Sequence, residues 1–210
     1  MGSKPKIALY WCSSCGGCEE SVVDLAGDLL EVVQRADIVF WPVAIDAKYK
    51  DLKAIGDGEI AVTLINGAIR MDEQVAMAHL LRRKSRVLMA HGSCAHLGGV
   101  VGLSTFFGRE AILKRSYGEI PTVKQTGEPV FPGEGSTQTG LPRFSDRVQT
   151  LDQVVSVDYY IPGCPPTSEL IKEAIFAALE DRLPERGTVL ADDKALCHTC
   201  PLIKSKPDTI

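Results

Sequence analysis

Residues 11–20, Trp11-Cys12-Ser13-Ser14-Cys15-Gly16-Gly17-Cys18-Glu19-Glu20, follow directly on the apolar run from Lys6 to Tyr10. Three thiols and two glycines crowd one turn, and two carboxylates stand where a helical pattern begins. A short apolar run ending in a Cys/Gly turn reads as a buried parallel strand feeding a loop. From Glu19 to Gln34, Val22, Ala26, Leu29 and Val33 recur at helical spacing, with Glu19 and Glu20 near the positive end of the helix dipole. The result is a strand-loop-helix unit.

Units of that kind recur along the chain. The run IVFWPVAI within Ala36 to Ile45 is broken by Pro42, so a strand leads out into a loop. Glu59 to Ile65 carries a third strand, closed by the turn signal Asn66-Gly67. Asp72 is placed to cap a helix running to about Lys84, whose last turn holds Arg82, Arg83 and Lys84. Arg86 to Ala90 is a fourth strand ending in His91-Gly92-Ser93-Cys94, and Gly98, Gly99 and Gly102 then allow close backbone approach. Val154 to Ile161 is a fifth, ending in Pro162-Gly163-Cys164-Pro165-Pro166. Thr167 or Ser168 caps a helix with the apolar stripe Leu170, Ile171, Ala174, Ile175, Ala178 and Leu179. Alternating strands and helices predict an α/β fold, a parallel sheet with helices on both faces and right-handed crossovers. Residues 121–142 turn to Pro, Gly, Thr and Gln and read as a long surface loop, of the kind that usually faces a partner or carries function. The chain divides into a main domain over 1–182 and a C-terminal tail over 183–210 that carries Cys197-His198-Thr199-Cys200-Pro201 and too few apolar residues for a core of its own.

A chain of 210 residues, 45% apolar and 24% charged, buries one substantial core. The net charge of −4 argues against nucleic acid as a partner, because phosphate binding needs clustered Lys and Arg. Arg82-Arg83-Lys84 and Lys114-Arg115 are short and read as solvated helix ends. The apolar runs fall below the roughly 18 residues a membrane span requires, and the start of the sequence has no apolar leader pattern, so the expected location is the cytoplasm. There a disulfide framework is not expected, and seven cysteines, an odd number, point to metal ligation.

In an open parallel sheet, ligands collect outside the carboxyl ends of the strands. Cys12, Cys15 and Cys18 follow the first strand, Cys94 the fourth and Cys164 the fifth, so these loops open on one edge. Thiolates gathered there repel one another unless a cation neutralises them, and four cysteine sulfurs suit an iron–sulfur cluster or a structural zinc. Packing as small hydrophobes is the alternative for each thiol taken singly.

Cys15-Gly16-Gly17-Cys18, Gly92-Ser93-Cys94-Ala95 with Gly98-Gly99, and Pro162-Gly163-Cys164-Pro165-Pro166, in this order, resemble the proximal-cluster motifs of nickel-iron hydrogenase small subunits. The nearest types are the cytoplasmic methyl-viologen-reducing (F420-non-reducing) one, of gamma or G kind, and its F420-reducing relative. The resemblance covers about residues 5 to 203. It implies a flavodoxin-like domain that holds a proximal 4Fe–4S cluster through Cys15, Cys18, Cys94 and Cys164 and leaves Cys12 a free thiol. It also implies a large subunit carrying the nickel-iron centre, and a downstream iron–sulfur or flavin subunit, with a heterodisulfide-reductase-linked one among the candidates.

Cys197 and Cys200 resemble the start of a second-cluster motif, although no cysteine follows Cys200. A zinc knuckle is the other reading of that pair. By the same resemblance Glu20 is a candidate proton relay beside the cluster, while His91 and His96 flank Cys94. The expected role is therefore relay of single electrons, with no active site, flavin or nicotinamide in this chain. Two other readings remain. A complex I-like cluster subunit of a quinone reductase shares the scaffold but characteristically uses adjacent cysteines. A flavin-binding, flavodoxin-like carrier needs a phosphate cradle where this loop has thiols, and a scaffold that only stores the cluster would lack the partner face for which the 121–142 and 92–102 loops argue.

Overall fold

The computed structural model describes residues 4–122, 124, 141–194 and 196–205. Five parallel strands, β1 (Lys6–Trp11), β2 (Asp37–Phe40), β3 (Ile60–Asn66), β5 (Ser85–His91) and β7 (Tyr159–Ile161), form the central sheet in the order β2-β1-β3-β5-β7. Strand order reverses at β1, as in flavodoxin-like folds, which is where such sheets open a crevice. All seven residues of β3 are buried, because a central parallel strand is covered on both faces.

Side chains alternate between two apolar layers. Ile7, Leu9, Val62, Leu64, Met89 and Ile161 pack under α1 (Gly17–Val23), α2 (Gly27–Arg35) and α8 (Ser168–Leu179). Ala8, Ile65, Leu88 and Ala90 pack under α3 (Tyr49–Ala54), α4 (Asp72–Lys84) and α5 (Ser93–Leu97). Two further helices, α6 (Gly99–Gly102) and α7 (Arg109–Gly118), follow α5 in the chain. The three-layer parallel arrangement expected from the sequence is the one observed.

Local differences have local causes. The helical pattern expected over 19–34 is two helices, since Ala26 adopts φ 50° and Leu25 turns into the core. At the start of α4, Asp72 is the first helical residue and not the cap, its Oδ1 accepting from the Glu73 amide (2.8 Å), while Gln74 Oε1 accepts from the amides of Arg70 (2.8 Å) and Met71 (3.1 Å). The fifth strand of the central sheet is only Tyr159–Ile161, because Leu151–Gln153 coil into a 3₁₀ turn. A second, two-stranded antiparallel sheet pairs β4 (Ile69–Met71) with β6 (Phe144–Gln149), which the sequence pattern does not announce. The expected loop over 121–142 lies outside the described residues except at 121, 122, 124, 141 and 142.

Asp158 fastens the edge strand. Its carboxylate accepts from the Leu88 amide (2.8 Å), Arg82 Nη1 (2.6 Å) and Arg186 Nη1 (2.7 Å), and its carbonyl accepts from Gly187 N (2.7 Å). The segment beyond α8 is thereby drawn along β7, where Leu190 N donates to Tyr160 O. Removing one partner of a buried, hydrogen-bonded charge strands the others. Asp158→Ala should therefore lower unfolding free energy by roughly 2–4 kcal/mol with an unchanged m-value, read in a urea titration.

Candidate metal centre

The parallel register sets the site. Trp11 pairs with Asn66, Asn66 with His91 and His91 with Ile161, so the loops after β1, β5 and β7 leave the sheet at one level. The first loop is pinned before its cysteines: Cys12 N donates to Asn66 O (2.8 Å), and Ser13 and Ala68 exchange amide bonds at 2.9 Å each. Gly67 permits that approach, because with φ 86° it passes the Cys12 carbonyl carbon where a Cβ would sit at 2.7 Å. Gly16, at φ 91°, then turns the chain into α1.

The other two loops are tied to each other. Gly92 N donates to Ile161 O (2.8 Å), and both Ser93 N (2.7 Å) and Ser93 Oγ (2.8 Å) donate to Gly163 O. Glycines make room for sulfur: a Cβ at Gly92 would overlap Cys18 Sγ, and one at Gly99 would lie 2.6 Å from Cys94 Sγ. These contacts bring Cys15, Cys18, Cys94 and Cys164 within electrostatic reach of one another. Burial and then the charges of Cys94, Cys15 and Cys164 push the Cys18 thiol up to about 12. Burial and then Cys164 raise the Cys94 thiol, while the amides of Val101 and Val100 act in the opposite direction. The Gly17 amide donates to Cys15 Sγ at 3.4 Å.

Thiols that destabilise one another's ionised form, yet receive backbone N–H groups aimed at sulfur, make a donor set for a positively charged metal group. Among the described residues, no three His, Cys, Asp or Glu side chains converge as a single-ion site. Four thiols at one sheet edge are a donor set of the kind that iron–sulfur clusters and structural zinc both use.

Cys12 lies elsewhere. It is 5% exposed, packs in the apolar layer under α4 and acts on Tyr10. Cys197 is exposed and Cys200 half-buried, at α9 (Leu196–Thr199) in the tail.

The two acids of the opening stretch separate. Glu20 is exposed, whereas Glu19 is buried and accepts from Trp41 Nε1 and Asn66 Nδ2. Burial raises the Glu19 pKa and the two hydrogen bonds hold it down. Ser14 Oγ extends this network to Asn66 Oδ1 at 3.1 Å. Sequence reasoning treats Glu19 as a dipole partner and Asn66 as a turn residue; the signal for their pairing is that Asn66 ends β3 beside β1, whose following loop leads into the first turn of α1, where Glu19 stands. His91 is 1% exposed and burial lowers its pKa to about 4, so it is neutral at pH 7. His96 packs on the Tyr160 ring at 4.4 Å.

Immediately past Cys94 the surface is apolar. Leu97 (72% exposed), Val100, Leu103, Phe106 (83%) and Phe107 all project outward. Patches of this kind mark interaction sites in soluble chains.

The family described as "NADH ubiquinone oxidoreductase, 20 Kd subunit" matches residues 15–178. The chain is 35% identical over 209 residues to the iron-sulfur G subunit of the F420-non-reducing hydrogenase from Archaeoglobus profundus, covering 96% of this chain and 65% of that protein. It is 34% identical to the G subunit of the F420-non-reducing hydrogenase from Methanothermobacter thermautotrophicus, covering 99% of this chain and 61% of the relative. The chain thus spans less than two thirds of the length of these two relatives. Among solved structures, a chain of an NAD+-reducing [NiFe]-hydrogenase in the H2-reduced state superposes with a TM-score of 0.74 and 28% identity, over 87% of this chain and 94% of that one. No helix among the described residues is long and apolar enough to cross a membrane.

Burial separates the thiols chemically. In the iron-free chain at pH 8, iodoacetamide should label exposed Cys15, Cys164 and Cys197 readily. Cys12, its pKa raised by burial, stays a protonated thiol at that pH and should label only after denaturation, as read by peptide mass spectrometry.

Proposed function

Because the chain belongs to the family of the NADH ubiquinone oxidoreductase 20 Kd subunit, and within it stands with hydrogenase iron-sulfur subunits of the G type, we propose that it is the electron-transfer small subunit of a cytoplasmic nickel-iron hydrogenase. The observation that carries this reading is the meeting of thiols from three strand-end loops at one sheet edge, Cys18 and Cys94 buried, Cys15 and Cys164 open to the outside.

A 4Fe–4S cluster held by Cys15, Cys18, Cys94 and Cys164 supplies one-electron chemistry. The chain's part is to fix those thiolates and set their surroundings. Amides of Gly17, Val100 and Val101 stabilise the thiolates of Cys15 and Cys94 and so bear on the potential. The partner with the nickel-iron centre covers the apolar face of Leu97, Val100, Leu103 and Phe106, which excludes water beside Cys94 and shortens the electron path between the two metal sites. Glu20, exposed on α1 two residues past Cys18, exchanges protons at the rim of that interface. Electrons continue to an iron–sulfur or flavin subunit, of heterodisulfide-reductase-linked type where the organism has one. Cys197 and Cys200 contribute to a second cluster whose remaining ligands come from outside the pair. The family description itself supports a second reading, a complex I-like cluster subunit beside a quinone site.

Anaerobic purification from the native operon context tests these readings. The chain should co-purify brown, with about four irons per proximal site and with a nickel-containing subunit. Cys15→Ala should abolish the iron of that site, whereas Cys12→Ala should retain it. Zinc in place of iron refutes electron transfer, and a nickel-free complex with a quinone-binding subunit selects the complex I-like branch.

A further inference from the structure

Arg70, in β4, is 2% exposed, and among the described residues its Nε and Nη2 have no hydrogen-bond partner. The rest of the guanidinium is fixed. Nη1 donates to Ser104 Oγ at 3.2 Å, and the plane lies over the Phe144 ring with Cζ 4.4 Å from its centroid. Nε and Nη2 form one edge of that plane, the parallel pair of donors that matches both oxygens of a carboxylate. The acid acting on Arg70 is Asp146, an exposed residue that also lies 3.7 Å from Arg109 Nε and makes no hydrogen bond to Arg70. A buried guanidinium with two donors unpaired among the described residues is costly and calls for an anionic acceptor.

The same contact organises the apolar ridge. In the 3₁₀ turn Leu103–Phe106, positions i and i+3 eclipse, so Leu103 and Phe106 share one outward side. Ser104, half-buried, meets Arg70 and donates to Val101 O (2.7 Å), while exposed Thr105 ties the turn to β6 by accepting from Val148 N through Oγ1 (3.2 Å). Beside the Arg70–Phe144 stack a cavity of about 380 Å³ is lined by Asp72, Val75, Arg143, Phe144, Ser145 and Asp146. β4 and β6 are a two-stranded antiparallel ribbon with an irregular register.

We infer that Arg70 is an anchor for a carboxylate side chain of the subunit that covers the Leu103–Phe106 ridge, received by the Nε/Nη2 edge as a bidentate pair. This inference rests on the docking of the nickel-carrying subunit proposed above. The carboxylate supplies the two hydrogen-bond acceptors that no described residue, Asp146 included, gives to Nε and Nη2, and the ridge beside it supplies the apolar contact.

The test is subunit exchange, measured as dissociation of the anaerobically purified complex, with Arg70→Met, Arg70→Lys and Phe106→Ser, alongside thermal melts of the full chain alone. Arg70→Met should speed dissociation by about tenfold or more without lowering the melting temperature of the free chain. Arg70→Lys, which keeps a charge but not the planar edge, should fold as the parent does and still exchange faster. If both Arg70 variants leave exchange unchanged while Phe106→Ser accelerates it, docking stands and the anchor is refuted. If Phe106→Ser also has no effect, the docking reading fails with it. If sodium acetate raises the melting temperature of the free chain only when Arg70 is present, and exchange is insensitive to Arg70, the anion is a small solute and the partner carboxylate is refuted.

Discussion

The site depends on the register of a parallel sheet. Because β1, β3, β5 and β7 run in one direction and end level at Trp11, Asn66, His91 and Ile161, loops that are distant in sequence begin within one strand spacing of their neighbours. An antiparallel neighbour would send its loop to the opposite edge. Fully buried strands hold the register: a slip of one residue would turn Leu64 and Met89 out of one apolar layer and Ile65 and Ala90 out of the other. The glycines then do locally what the register does globally, since Gly92 and Gly99 each stand where a side chain would displace a cysteine sulfur.

Above that row lies a buried polar layer in which no cation pairs with the acid among the described residues. Glu19 is held by two neutral donors, Trp41 and Asn66, and Asn66 is at once the end of β3 and the acceptor for Cys12 N through its backbone. One carboxylate thus ties α1, the segment after β2 and the end of β3 to the cysteine loop. The arrangement fixes the first turn of α1, and with it Cys18, by bonds that do not involve sulfur. Burying such an acid is unfavourable on its own, which is why both donors are needed.

Much of this was legible in the sequence because it rests on short-range signals. Apolar runs closed by Cys/Gly turns marked the strand ends, the 3.6-residue stripe from Leu170 to Leu179 marked α8, and Thr167 caps it by accepting from Leu170 N. The hydrogenase family, too, was evident from motifs that stand at these turns. What was not legible is long-range. The β4–β6 pair joins residues more than seventy apart through a strand, FSDRVQ, with no clean alternation. The break at Ala26 is driven by Leu25 finding the core, and the roles of Glu19, Asn66 and Arg70 are defined by neighbours that the chain brings from elsewhere. Local pattern cannot report partners that only tertiary packing supplies.

The distribution of burial across the thiols is the feature that the proposed docking of a partner would complete. Cys18 and Cys94 lie inside while Cys15 and Cys164 are open, so a bound metal group would be shielded from below and exposed from above. Solvent on that open side would raise the effective dielectric around the group and leave it open to attack by oxidants. The surface next to it offers the opposite of a solvated rim: Leu97, Val100, Leu103 and Phe106 expose carbon where a free-standing carrier would place charge. Covering these side chains gains on the order of 1.5–3 kcal/mol for each large residue fully buried. Apolar exposure and the half-open thiol set are thus one feature seen from two sides. On the proposed docking, a partner that buries the first would also close the second, and desolvation would make any charge pair at that boundary count for more than it does in water.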